Sequence, residues 1–323
     1  MAIVSLIIPC YNMEKYIDKC LDSVLLQTHK DIQLIVVNDG STDASELILS
    51  QRSKEIEETL SEYIYISQQN GGVAAACCSG FKRATGKYLA LLDSDDQLMP
   101  DSIKKQHDFL ESHLDCVLVR TNGWYVREDD GKIIRLFRDS EETGDLFTNL
   151  LIGKSDNWSG SYMIRMSVLD EIYPDRNIYL SKGGQNLQFV LASAYKRKSG
   201  YINEPLMKYT VKDNSLSHFS NHDSSKRINA LLDYKDIREH IVKEVVDEFE
   251  IEEYLQTIGE KYARIFMGLG TEIQDHDLLK QSYDWLKKKG LVTTKDKITY
   301  YNETNLAFGL FYRIVNKLKS LSR

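Results

Sequence analysis

The 323-residue chain has no CxxC pair and no Cys/His arrangement with metal-ligand spacing. Its five cysteines, Cys10, Cys20, Cys77, Cys78 and Cys116, are scattered. That excludes a zinc module and fits packing thiols in a reducing compartment. Nor is there an excess of basic charge. The formal net charge is −7, which argues against nucleic acid as a partner because phosphate recognition needs a basic field. The N-terminus lacks a basic stretch followed by a long apolar core, so a signal peptide is not expected. No window approaches 18 uninterrupted apolar residues, the length that would read as a membrane span. Internal repeats and low-complexity tracts are also missing, and a cytoplasmic location is the expectation. What remains is the balance of a soluble globular protein, 42% hydrophobic and 28% charged. Tyrosine is frequent, with 19 copies.

Ile3–Ile8 is a short β-branched run that reads as a buried strand. Met13–Leu26 has helical spacing. A second apolar run, Ile32–Val37, leads into the turn formers Asn38-Asp39-Gly40-Ser41-Thr42-Asp43. Ala44–Thr59 is helical, Tyr63–Ile66 a third strand, and Val73–Ala84 a helix of small residues. Tyr88–Leu92 is a fourth strand, Asp101–Ser112 a helix, Cys116–Val119 a further strand. Alternating strands and helices predict an α/β fold with a mostly parallel central sheet covered on both faces. Ligands of such sheets sit at the strand C-terminal ends. Further on, Trp124–Arg127 and Ile133–Phe137 flank a turn at Asp129-Asp130-Gly131 and predict a hairpin. Tyr162–Arg165 and Leu206–Val211 read as strands, Gly184–Lys196 as a helix. Beyond about residue 220 the chain is helical, charged and free of Pro. The expected division is a catalytic domain over 1–220 and a helical appendage over 221–323.

Four polar segments close these strands. Asp93-Ser94-Asp95-Asp96 concentrates three carboxylates, whose repulsion and lost hydration a divalent cation would relieve. Mg²⁺ and Mn²⁺ accept carboxylate together with phosphate oxygen, so the segment suits a metal holding a diphosphate. The plain alternative is a solvated turn or helix cap. Asp39 fits a nucleobase imide or ribose hydroxyl, and equally a turn into a capped helix. Tyr11, in Pro9-Cys10-Tyr11-Asn12, offers a stacking face or simply a packed ring. Asn70-Gly71-Gly72 lets backbone approach phosphate at a helix N-terminus.

In this order and spacing, Ser5-Leu6-Ile7-Ile8-Pro9-Cys10-Tyr11-Asn12, Val37-Asn38-Asp39-Gly40-Ser41-Thr42-Asp43, Asn70-Gly71-Gly72 and Leu91-Leu92-Asp93-Ser94-Asp95-Asp96 closely resemble glycosyltransferase family 2. The likeness is strongest over residues 3–120 and fades by about 220. It implies a GT-A fold of the bacterial surface-polysaccharide type and a nucleoside-diphosphate sugar donor. It also implies Mn²⁺ or Mg²⁺ and inversion at the anomeric carbon. Pro9, Tyr11, Asn12, Asp39, Gly72, Asp93 and Ser94 would bind the nucleotide sugar. Asp95 and His218 would hold the metal, and Asp96 would lie nearer the acceptor.

The sequence departs from that pattern twice. The resemblance implies a Glu-Asp pair, carried by most of the family, on the helix near Gly184, its Asp being the usual base; here Gln185 and Asn186 stand there. Amides do not titrate near neutral pH and cannot accept a proton. They would orient the acceptor while Asp96 or Asp156 takes the proton, or turnover would be weak. At Ala76-Cys77-Cys78 an Arg common in relatives is missing, and Lys82 or Arg83 is the expected substitute.

Thr304–Arg323 carries apolar residues with Arg313, Lys317, Lys319 and Arg323 and no acid after Thr304. It fits peripheral contact with anionic lipid at the inner face of the membrane, or a terminal packing helix. The expected activity is transfer of a hexose or N-acetylhexosamine, UDP-linked, to a glycan, lipid-linked or protein acceptor. The alternative is a donor-binding homologue with little or no turnover. Nucleotidyl transfer is disfavoured, because the Gly-rich N-terminal loop and its Lys are missing. Homo-oligomerisation stays open.

Overall fold

A computed structural model describes residues 3–138, 144–181, 184–212 and 223–304. In chain order the first elements are β1 (Val4–Cys10), α1 (Ile17–Leu25), β2 (Ile32–Asn38), α2 (Ser45–Thr59), β3 (Glu62–Ser67), α3 (Val73–Arg83), β4 (Tyr88–Leu91), β5 (Gln97–Leu98) and α4 (Ser102–Ser112). Then come β6 (Cys116–Arg127), β7 (Ile133–Leu136), α5 (Leu146–Leu151), β8 (Tyr162–Arg165), α6 (Met166–Ile172), α7 (Gln185–Ala194) and β9 (Lys198–Val211). Four helices follow: α8 (Ser224–Val245), α9 (Ile251–Ile273), α10 (His276–Lys288) and α11 (Thr294–Thr304). The strands form one sheet in the order β3-β2-β1-β4-β8-β6-β9-β5, with β7 added to β6. The β1–β4 region is parallel, as the alternation predicts. Beyond β4 the sheet is mixed: β8 runs antiparallel to β4 and β6, and β9 parallel to β6.

Every residue of β1 and β2 is buried, as a sheet covered on both faces requires. Val4, Leu6, Ile8 and Cys10 join α1 and α2 in one core through Ile17, Cys20, Leu21, Leu49 and Ile56. Ile7 faces α3 instead, where a Cβ on Gly80 would lie 2.6 Å from its Cγ2. That close approach explains the small-residue face of α3. Pro9 sits inside β1 without breaking it. The Cys10 carbonyl accepts from Asp39 on the β2 side, and the Ile7 carbonyl from Leu92 on the β4 side. The missing Pro9 N–H therefore points past the last β1–β4 pair, Ile7–Leu91, and costs no ladder bond.

Cys116–Val119 and Trp124–Arg127 are one strand rather than two. β6 runs through the polar Arg120, Thr121 and Asn122, which are buried. Gly123 is the reason the strand passes there: a Cβ would meet the Phe137 ring at 2.4 Å. The hairpin between β6 and β7 forms around Gly131 at φ +67°.

The chain divides into two compact units. One comprises Met1–Ser220 with Asp236–Val246, the other Asn221–Lys235 with Asp247–Arg323. The return of 236–246 to the first unit is not visible in a boundary drawn at 220. Within the second unit, Ala263, Met267, Leu279, Tyr283 and Leu286 make a small core. Gly259 lets Trp285 pack against α9, since a Cβ there would lie 2.3 Å from the indole. No helix among the described residues is long and apolar enough to cross a membrane. His218 and residues 305–323 lie outside the described residues, and with them the metal-ligand and membrane-helix expectations.

Candidate active site

The loops after β1 and β2 are stapled to each other. Asn12, at φ +54°, accepts from the Thr42 amide at 2.8 Å, and its own amide donates to Ser41 Oγ at 3.0 Å. Glu14 makes a second pair with the Asp43–Ala44 stretch: Glu14 N donates to Asp43 Oδ2, and Ala44 N to Glu14 Oε2, both at 3.0 Å. Asn12 thus fixes the loops with its side-chain oxygen. Burial raises the Asp43 carboxyl, but hydrogen bonds from Ser45 and the Glu14 amide outweigh it and hold the group below its usual range.

Asp39 is 2% exposed. Its Oδ1 accepts from Gln68 Nε2 at 2.7 Å and from the Gly71 amide at 3.0 Å, and its Oδ2 accepts from the Gly72 amide at 2.8 Å. The carboxylate therefore builds the turn that enters α3. Gly72, at φ +87°, is the residue before that helix. Gly40 at φ +75° lets the β2 loop touch it: a Cβ there would lie 2.9 Å from the Asn70 nitrogen.

The acidic segment follows β4. Asp96 turns inward, 1% exposed. Its Oδ1 accepts from the Thr210 amide at 2.9 Å, while Thr210 Oγ1 donates to the Asp95 carbonyl at 2.6 Å. β9 is thereby fastened to the segment. Asp96 Oδ2 is buried with no hydrogen-bond partner. Burial, then the charges of Asp95 and Asp93, push its pKa well above the ordinary carboxylate range. This geometry anchors a loop and does not present Asp96 to an acceptor, so it does not support Asp96 as the base. Asp93 is pushed up to about 7 by burial and by Asp95, against the lowering effect of the Asn186 and Gln185 amides.

Those two amides open α7. Gly184, at φ +75°, supplies the left-handed residue before the helix. Gln185 Nε2 lies 3.4 Å from Asp93 Oδ1. Asn186 Oδ1 accepts from the buried Tyr162 hydroxyl at 2.8 Å. The structure thus brings Gln185 and Asn186 to Asp93. Asp156 is set apart in an ion pair with Arg138, at 3.2 Å.

Lys212, directly after β9, was not singled out by the sequence. Its ammonium lies 2.5 Å from Asp95 Oδ2 and 4.1 Å from the centre of the Tyr16 ring. Tyr16 in turn donates its hydroxyl to Glu128. Tyr162, Thr210 and Tyr16 are likewise missed, because each acts through a partner far away in sequence. The remaining expectations divide. Tyr11 is 44% exposed and presents its ring beyond the strand end. Pro9 and Ser94 are buried and offer packing, not an open contact surface. Cys77 and Cys78 are buried in α3. Lys82 and Arg83 occupy the last turn of α3, about 15 Å along the axis from Gly72, so they do not replace the missing Arg.

A sheet whose strand ends gather a carboxylate-built Gly-Gly turn and an acidic loop is the architecture of a GT-A enzyme. The match of residues 5–173 to "Glycosyl transferase family 2" completes the assignment, and the chain belongs to that family. It is 30% identical over 246 residues to glycosyltransferase GlyA of Streptococcus pneumoniae, covering 71% of this chain and 33% of that protein. It is 35% identical over 154 residues to the putative teichuronic acid biosynthesis glycosyltransferase TuaG of Bacillus subtilis, covering 47% of this chain and 59% of that one. The chain thus spans about a third of GlyA and less than two thirds of TuaG. In three dimensions it resembles S. aureus TarS 1–349 in complex with UDP-GlcNAc. That likeness has TM-score 0.67 and 18% identity, and covers 93% of this chain and 86% of that one. A mannosyltransferase from Pyrobaculum calidifontis, in complex with GDP-Man and Mn²⁺, superposes with TM-score 0.57 and 12% identity. It covers 98% of this chain and 84% of that one. These likenesses establish the GT-A fold.

Proposed function

We propose that the protein transfers a hexose or N-acetylhexosamine from a UDP-linked donor to a growing surface glycan or glycoprotein acceptor, with inversion. The observation that carries this reading is the meeting of three elements at one sheet edge. They are the Gly71-Gly72 turn built by Asp39, the acidic segment, and the α7 amides around Asp93. Tyr11, exposed after β1, offers a ring to the donor's base.

A divalent cation fits the chemistry present. Asp95 already holds a positive group at its carboxylate, and the charge of Asp95 works against ionisation of Asp93. Among the described residues no three acidic, His or Cys side chains form a ready cage. Mg²⁺ and Mn²⁺ take few protein ligands and fill the remainder with phosphate oxygen and water. Asp95 would be the direct ligand, with His218 as a second. When bound, the ion would neutralise the departing diphosphate.

In the reaction, the acceptor oxygen bonds to the anomeric carbon as the bond from that carbon to the diphosphate oxygen breaks, and the acceptor's hydroxyl proton leaves through solvent for the released diphosphate. Gln185 and Asn186 position Asp93 and the acceptor. They take no proton. The second reading, a donor-binding homologue with little turnover, draws on those amides standing where the family resemblance implies carboxylates. Release of UDP from UDP-sugars with Mn²⁺ and a glycan acceptor decides between them. Acceptor-dependent release supports transfer. Donor binding without release supports the second reading.

A further inference from the structure

Lys212 is held in a box of its own. On one side its ammonium pairs with Asp95 Oδ2 at 2.5 Å; on the other it lies over the Tyr16 ring at 4.1 Å. The two charged side chains are only 17% and 23% exposed. Tyr16 is fixed by its hydroxyl on Glu128, whose own amide donates to the Val211 carbonyl at 3.3 Å. Thr210 fastens the same stretch to the acidic segment through Asp96 and the Asp95 carbonyl. These contacts over residues 210–212 therefore place a cation on the carboxylate that a divalent ion would use. Two cations cannot share one carboxylate oxygen without repulsion.

We propose that Lys212 is the resident counter-ion of the donor site. It neutralises Asp95 while the site is empty, cedes that oxygen to the divalent cation, and turns its ammonium to the donor's diphosphate. The inference rests on the metal–diphosphate reading given above. It makes Lys212 a donor-binding residue and a competitor of the metal at once, and the two roles have opposite signs.

The test is Lys212→Met, which keeps the stem and removes the charge, with Lys212→Arg as the conservative control. Calorimetric titrations use MnCl₂ alone, then UDP or GDP at saturating Mn²⁺, whichever the wild-type protein binds. For Lys212→Met, Mn²⁺ alone is expected to bind roughly two- to fivefold more tightly than to wild type. The nucleoside diphosphate is expected to bind roughly tenfold more weakly. Lys212→Arg stays near wild type in both. A purely structural role for Lys212 weakens both affinities together and overturns the assignment, as does any other combination. If the wild-type protein binds neither Mn²⁺ nor a nucleoside diphosphate, the metal–diphosphate reading falls and this inference with it. If wild type binds both and Lys212→Met does not shift them in opposite directions, this inference alone falls.

Discussion

The carboxylate of Asp39, at the end of β2, spans the backbone amides of Gly71 and Gly72, one on each oxygen, at 3.0 and 2.8 Å. A single side chain thus shapes the entry to α3 and sets one wall of the proposed donor site. Asp39→Ala removes the acceptor for both amides and for Gln68. The expected loss is at least about 1.5–3 kcal/mol in urea unfolding, the worth of a single hydrogen bond to a charged acceptor. Asp39→Asn keeps one oxygen and turns an N–H toward the other amide, so it falls between. Equal stability of all three proteins would show that the turn does not depend on this carboxylate.

Asp96 and Thr210 make a different kind of pair. Oδ1 has its bond from the Thr210 amide, while Oδ2 is buried and unpartnered. Asp96→Asn keeps an acceptor for Thr210 and removes the buried acid, so the metal-free variant should be as stable as wild type or more so at pH 8. Asp96→Ala leaves the Thr210 amide without its acceptor, at a cost of about 1–3 kcal/mol. Reversal of that order in denaturant melts would refute the inward-facing anchor.

How much of this was readable from residues alone depends on distance along the chain. β1, β2 and β3 lie within a residue or two of their expected bounds, because a short β-branched run ending in a turn is a local signal. The acidic segment and Asn70-Gly71-Gly72 were legible as motifs. What holds them was not. Asp39 bonds a turn 32 residues away, and Lys212 reaches Asp95 across more than a hundred. The β6 strand was read in two pieces because Arg120, Thr121 and Asn122 break the apolar pattern, although all three are buried. Asp96 drew a catalytic reading from its place beside Asp95; its inward rotamer is set by Thr210, which no spacing rule points to.

Asn186 stands between Tyr162 and Asp93. Asn186→Ala leaves the buried Tyr162 hydroxyl without its acceptor, at an expected cost of about 1–3 kcal/mol. Gln185→Ala should cost less, because its contact to Asp93 is long at 3.4 Å. Asn186→Asp adds a carboxylate beside Asp93 and should lower the melting point further at pH 8 than at pH 5. Identical melting curves for Asn186→Ala and wild type would remove Asn186 from the account.

His29 supplies a pH dependence away from the site. Its ring lies 4.9 Å from that of His107, and the Nε2 atoms of both are buried without a hydrogen-bond partner, His107 Nε2 lying 3.7 Å from Glu111 Oε1. Burial, then His107, lower its pKa from 6.5. A lowered pKa means that the unfolded chain takes the proton first. The stabilising contribution is therefore complete above about 6.5 and is lost as pH falls below it. Chemical denaturation of wild type at pH 8 and pH 5 should show the drop, and His29→Gln should reduce it. A His29→Gln protein with the full wild-type pH dependence would place its origin elsewhere.

The central claim is a metal–diphosphate site at the ends of β1, β2 and β4, and thermal unfolding with nucleotide ligands tests it most directly. UDP or a UDP-sugar with Mn²⁺ should raise the midpoint more than either alone, since a ligand at a hundredfold its Kd stabilises the native state by about 2.7 kcal/mol. Asp95→Asn should abolish the Mn²⁺-dependent part of that shift. A midpoint unmoved by any nucleoside diphosphate or nucleotide sugar, with or without Mn²⁺, would contradict the account.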